Sequence, residues 1–146
     1  KLFNLLLLFK ETTIFDLMKE IIQEIIAEFH ENEINQSVER DFDIPFTTGK
    51  IITLVGPRRS GKSFLFFNLV KKLIAKGVEK KQIVYLNFED ERLDFTVNGL
   101  DLILQAYREL YPDKKLDKCF FFFDEIQNIK GLEKLWLLNM KQRTNR

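Results

Sequence analysis

Apolar residues recur along this chain with two different periods, and the periods mark its elements. Ile14, Met18, Ile21, Ile22, Ile25, Ile26 and Phe29 follow one another at spacings of three and four, with Glu20, Gln23, Glu24 and Glu28 on the other face. That is an amphipathic helix of about five turns. Thr13 followed by Asp16 resembles a capping box, with Asp in place of Glu, and predicts that the helix starts there. Its apolar face packs on the chain's own core or serves a partner helix or an exposed flap. Ahead of it, Leu2 to Phe9 is apolar, broken by Asn4 and followed by Lys10 and Glu11. A membrane span needs about 20 apolar residues, and no small-residue cleavage site follows. A buried strand or hydrophobic flap is the expectation. His30, at the polar end of the helix, reads as a surface histidine.

Glu31 to Thr48 is polar, punctuated by Pro45 and Gly49, and reads as a connector. Three short apolar runs then read as buried strands: Ile51 to Val55, Ile83 to Phe88 and Cys119 to Phe123. Between them lie helical patterns, Ser63 to Lys76, stopped by Gly77, and Val97 to Tyr111, followed by a Pro112-Asp113 turn. Leu132 to Met140 reads as a further helix. Strands alternating with helices predict an α/β fold with a parallel sheet.

Composition narrows the class. The chain has 146 residues, 45% hydrophobic and 31% charged, which suits one folded domain and excludes a disordered tail. Its 23 basic and 22 acidic residues leave a net charge of +1, so no overall field favours nucleic acid or an anionic membrane. Lys71, Lys72, Lys76, Lys80 and Lys81 crowd one region, and Lys114, Lys115 and Lys118 another. They read as solvated faces, with nucleic-acid association the alternative. One Cys and one His allow no internal disulfide and no zinc cluster, and point to a reducing cytoplasm.

The chemistry concentrates in two strings. Gly56-Pro57-Arg58-Arg59-Ser60-Gly61-Lys62-Ser63 matches G-x-x-x-x-G-K-S/T between a predicted strand and a predicted helix. Gly56 and Gly61 permit backbone that a Cβ would forbid, so that loop N–H groups nest phosphate oxygens at the helix N-terminus. Lys62 reaches the β- and γ-phosphates and Ser63 offers a hydroxyl to Mg²⁺. Cofactor-binding candidates run from Gly56 to Ser63 and include the adjoining Phe64. Arg58 and Arg59 are solvated loop residues, or contact the nucleotide or an acidic partner surface. The second string, Phe120-Phe121-Phe122-Phe123-Asp124-Glu125, is an apolar strand ending in two carboxylates. Asp124 at the strand tip suits a magnesium held largely through its water shell. Glu125 suits the base that activates water against the γ-phosphate. No N-K-x-D guanine reader is present, Asn139-Met140-Lys141-Gln142 failing to match, so ATP is preferred to GTP.

These strings, with Tyr85-Leu86-Asn87-Phe88-Glu89-Asp90-Glu91-Arg92-Leu93 between them and Phe123-Asp124-Glu125-Ile126-Gln127-Asn128-Ile129 at the end, resemble the archaeal and bacterial AAA-type ATPases. The likeness runs from about Glu20 to Trp136 and takes in Arg40. It implies a three-layer P-loop core with an additional-strand, RecA/AAA-like parallel sheet, incomplete at the C-terminus and preceded by the amphipathic helix. Residues 1–48 then form a helical lead-in and connector, and 49–146 a partial P-loop domain. The resemblance also implies ATP and Mg²⁺ as cofactors and hydrolysis coupled to a protein client. It assigns Lys62 and Ser63 to phosphate and metal, Asp124 to Mg²⁺ and Glu125 to catalysis. Glu89 or Asp90 has a site role at the sheet's carboxyl edge, or belongs to a surface turn or salt-bridged loop.

Members of this group continue into a sensor strand that lies between the phosphate-loop strand and the strand ending at Asp124, and then into arginine-bearing segments. Without that strand the two neighbours stand about 10 Å apart: either the gap closes, moving Asp124 and Glu125 relative to Lys62, or apolar edges stay open to aggregation, while self-association would run through the missing C-terminal region. Without an arginine finger turnover falls about 10³- to 10⁵-fold, and Arg143 and Arg146 read as solvated. The expectation is therefore the N-terminal part of a larger ATPase, poorly active alone. The alternative is a non-catalytic remnant that keeps its nucleotide motifs.

Overall fold

The apolar runs become two parallel strands with helices on both faces. The computed structural model describes residues 2–34, 60–93 and 100–131, with side chains from Ile14 onward. The predicted strand Ile51 to Val55, the connector beyond residue 34 and the helix from Leu132 to Met140 lie outside the described residues, and Glu31, expected to open the connector, ends α1 instead. In chain order the elements are α1 (Leu2–Glu31), α2 (Lys62–Ala75), β1 (Ile83–Asn87), α3 (Leu100–Leu110) and β2 (Phe120–Asp124).

Within each strand alternate residues face opposite ways. Val84 and Leu86 of β1, with Phe121 and Phe123 of β2, pack against α1 and α3. Ile83 and Tyr85, with Phe120 and Phe122, pack against Leu69, Val70 and Leu73 of α2. Both faces being covered, neither strand has a polar side, which is why each reads as an unbroken apolar run. The strands pair in parallel with Ile83 opposite Phe120 and Asn87 opposite Asp124, and α3 makes the crossover. This register ends both strands at one level and sets Asp124 at the carboxyl edge.

Helix α2 ends as its sequence predicts. Gly77 has φ +89, its N–H bonds the Ile74 carbonyl, and the Val78 N–H reaches back to Leu73. That pair of bonds is a Schellman cap, which needs a left-handed residue at the glycine's position.

Helix α1 departs from expectation. It runs unbroken through 30 residues, so Leu2 to Phe9 is helical rather than a strand or flap, and Thr13 lies inside the helix instead of capping it. No Gly or Pro separates the two segments, and extending a helix is easier than nucleating a new one. A Thr in the interior costs only a few tenths of a kcal/mol. Ile22, Ile25 and Ile26 are buried in one cluster with Val84, Leu86, Ile103, Ala106 and Tyr107, so this part of the helix packs on the chain's own core. Ile14, Phe15 and Leu17 remain exposed. Among the described residues no helix is long and apolar enough to cross a membrane.

His30 is also corrected. It is half-buried rather than on the surface: the Tyr111 hydroxyl lies 2.7 Å from Nδ1, and Nε2 lies 2.8 Å from the Ile83 carbonyl. A carbonyl only accepts, so Nε2 carries the proton and Nδ1 accepts from Tyr111, the neutral tautomer with both nitrogens satisfied. Burial, opposed by the bond to Ile83 and helped by Lys80 and Lys81, pushes the imidazole below its usual 6.5. The unfolded chain thus takes up this proton at a higher pH than the folded one. Stability from His30 is present above about pH 6.5 and is lost as pH falls below it. The urea midpoint is expected to decline between about pH 7 and pH 5, and His30→Gln to remove that decline. Glu28 and Asp90, whose pKa values Arg92 holds down, lose their contribution only at lower pH, below their usual 4.5 and 3.8.

Candidate functional site

The end of α2 that matters chemically is its first turn. Gly61 caps it with φ 87 and ψ 23, a left-handed conformation that glycine adopts without strain. The Leu65 N–H closes the first helical bond onto the Gly61 carbonyl. An α-helix leaves its leading N–H groups without intrahelical partners, and Gly61 at the N-cap has no side chain to cap them. Lys62 and Ser63 open the helix, and Phe64 follows with its side chain 40% exposed.

Strand β2 delivers Asp124 to this turn. Phe120, Phe122 and Asp124 alternate onto the α2 face, so the carboxylate points at the start of α2 while remaining 1% exposed. The Ser63 hydroxyl donates to Asp124 Oδ2 at 2.5 Å. The Tyr85 hydroxyl donates to the same oxygen at 3.0 Å, and the Glu125 N–H donates to Oδ1 at 3.0 Å. Three donors from three segments therefore hold one buried carboxylate.

Glu125 takes a left-handed turn, φ 51 and ψ 38, immediately after the strand. It is the one non-glycine residue at positive φ among those described, a conformation costing roughly 1–2 kcal/mol. The turn swings its carboxylate back toward α2, where Oε1 lies 3.8 Å from the Lys62 ammonium. The Gln127 amide donates to Oε2.

Four predicted residues, Lys62, Ser63, Asp124 and Glu125, thus meet in one place, with Gly61 capping the helix that carries the first two. Gly56, Pro57, Arg58, Arg59 and Arg40 lie outside the described residues. Asp90 belongs instead to a salt-bridged loop. Arg92 bonds Asp90 at 2.8 Å and grips Glu28 of α1 through two contacts of 2.9 Å. Tyr85 and Gln127 also join the site, and in the sequence they stand only within longer strings. The signal for Tyr85 was its position: opposite Phe122, hence diagonal to Asp124 on the same face of the sheet. Burial pushes the Tyr85 hydroxyl well above its usual titration range, and the Asp124 charge and hydrogen bond add to this.

A family model described as an AAA domain matches residues 48–144, which contain every residue of this cluster. The chain belongs to this AAA-domain family. Two relatives agree in extent. An uncharacterized protein of Methanocaldococcus jannaschii is 33% identical over 98 residues, covering 66% of this chain and 20% of that protein. An uncharacterized protein of Haemophilus influenzae is 32% identical over 106 residues, covering 72% of this chain and 24% of its own length. The chain thus spans about a fifth to a quarter of the curated relatives it matches. No solved structure matches it. Helix α1 precedes the matched region, yet it supplies buried residues to the core of this AAA domain.

Proposed function

We propose that this AAA domain binds ATP with Mg²⁺ and hydrolyses its γ-phosphate, within a three-layer P-loop core that extends the described sheet. The observation carrying the proposal is the 2.5 Å bond from Ser63 Oγ to Asp124 Oδ2, which joins the ends of the two motifs. The donor set fits the cation. A hydroxyl and a carboxylate are hard oxygen ligands, and Mg²⁺ takes few protein ligands and keeps several waters. Asp124 draws the Ser63 proton toward itself, which leaves the hydroxyl's lone pairs for a cation. When bound, Mg²⁺ neutralises charge on the phosphates.

The remaining work falls to the chain's own groups. The left-handed Gly61 and the first turn of α2 direct N–H groups outward for phosphate oxygens. Lys62 brings a positive charge to the β- and γ-phosphates. Glu125, one residue beyond the metal carboxylate, orients a water and takes its proton. The water oxygen bonds the γ-phosphorus as the bond to the ADP oxygen breaks. Lys62 lies 3.8 Å from Glu125, so phosphate and base share one cation. A protein client and a cytoplasmic setting belong to this reading, while the +1 net charge lends no support to nucleic acid.

Titration with a fluorescent ATP analogue in Mg²⁺ tests it. Saturable binding is expected, weakened about 10- to 100-fold by Lys62→Ala, the loss of one charge-assisted contact. Absence of Mg²⁺-dependent binding by the unmodified chain overturns the proposal.

A further inference from the structure

Tyr85 is the one member of the cluster around Asp124 for which neither nucleotide binding nor hydrolysis, as read above, has a task. A carboxylate offers roughly four lone-pair sites. On Asp124, Oδ2 accepts from Ser63 and Tyr85, and Oδ1 accepts from the Glu125 N–H. Ser63 and Glu125 both carry roles of their own toward nucleotide and water. Tyr85 alone contributes a donor from the neighbouring strand, and its ring is held on several sides. Phe67 stands 5.1 Å from it, Phe29 of α1 5.6 Å and Phe66 6.4 Å between centroids. The hydroxyl therefore sits at a place set by packing against α1 and the second turn of α2.

We infer that Tyr85 is a positioning residue that fixes the Asp124 carboxylate for a divalent cation, so that it sets the cation concentration at which nucleotide binds. This rests on the Mg-ATP reading above. Outer hydrogen-bond partners of a ligating carboxylate hold its orientation, and their loss typically lowers metal affinity about 10- to 100-fold. The effect of Tyr85 acts through Asp124 and requires no contact with nucleotide.

The test compares Tyr85→Phe with Phe66→Leu in the full chain. The first removes a hydroxyl and keeps a ring of the same shape. The second disturbs the same aromatic cluster, including the Phe66–Phe122 contact at 5.6 Å and the Phe66–Tyr85 contact at 6.4 Å, without removing a donor to Asp124. For each, a fluorescent ATP analogue is titrated with Mg²⁺ to obtain the half-saturating cation concentration, and thermal unfolding is followed in parallel. Tyr85→Phe is expected to raise the half-saturating Mg²⁺ about tenfold. Phe66→Leu is expected to lower the unfolding temperature and to shift that concentration far less than Tyr85→Phe does. An unchanged Mg²⁺ requirement in Tyr85→Phe, while the unmodified chain binds normally, overturns this inference alone. Equal shifts in both variants also overturn it, since they make the effect one of packing. Failure of the unmodified chain to bind the analogue in Mg²⁺ removes the functional reading, and this inference with it.

Discussion

Glu125→Gln is expected to lower ATP turnover about 10²- to 10⁴-fold, the usual contribution of a positioned general base, while the ATP analogue still binds. The substitution keeps the length of the side chain and an oxygen that accepts from Gln127, so the left-handed turn after β2 retains its bond across the loop. What disappears is the proposed general base, together with the negative partner 3.8 Å from Lys62. Removing that partner takes away one competitor for the Lys62 charge, so binding holds or tightens. Phosphate release and analogue titration, run on the same preparations, separate the two effects. Turnover undiminished in Glu125→Gln would remove the glutamate from the mechanism and leave the binding half of the proposal standing.

The second large effect concerns stability. Ile26→Ala is expected to cost about 2–5 kcal/mol, the range for truncating a fully buried branched side chain, because Ile26 is 0% exposed between α1, β1 and α3. Ile14→Ala, twelve residues earlier on the same helix and 55% exposed, is expected to stay within about 0.5 kcal/mol. Urea unfolding of the two variants measures both. Equal small losses would mean that α1 is an appendage and contributes nothing to the core. A large loss at Ile26 alone makes residues ahead of the family match part of the folding unit of this AAA domain.

Much of the framework was legible in the residues. Ile83 to Leu86 and Phe120 to Phe123 are unbroken apolar runs between helical patterns, so an α/β fold with a parallel sheet followed from the residues, while the layers on both faces came with the family resemblance. Gly77 stopped α2 because a left-handed position there excludes most other residues. The carboxyl edge of the sheet was where Asp124 and Glu125 had to emerge, one residue past the last apolar position. The start of α1 was misread because Leu2 to Phe9 has no helical period. Its helicity comes from continuity with the amphipathic repeat behind it, a cooperative effect that local composition does not register. His30 looked solvated because its neighbours in sequence are polar. Its partners, Tyr111 and Ile83, come from α3's end and β1, distant along the chain.

The candidate site divides in the same way. Residue type and spacing nominate Lys62, Ser63, Asp124 and Glu125, since each supplies a charge or oxygen that phosphate chemistry uses. By itself the sequence determined that list, the alternating elements that carry it and the family to which it points. The tertiary structure alone decided that Ser63 bonds Asp124, that Glu125 turns back toward Lys62, that Arg92 serves α1 rather than the site, and that Tyr85 stands beside the carboxylate. Those outcomes depend on strand register and on which face of the sheet α2 covers. Both are settled by long-range packing of side chains, which periods of two and 3.6 along the chain do not encode.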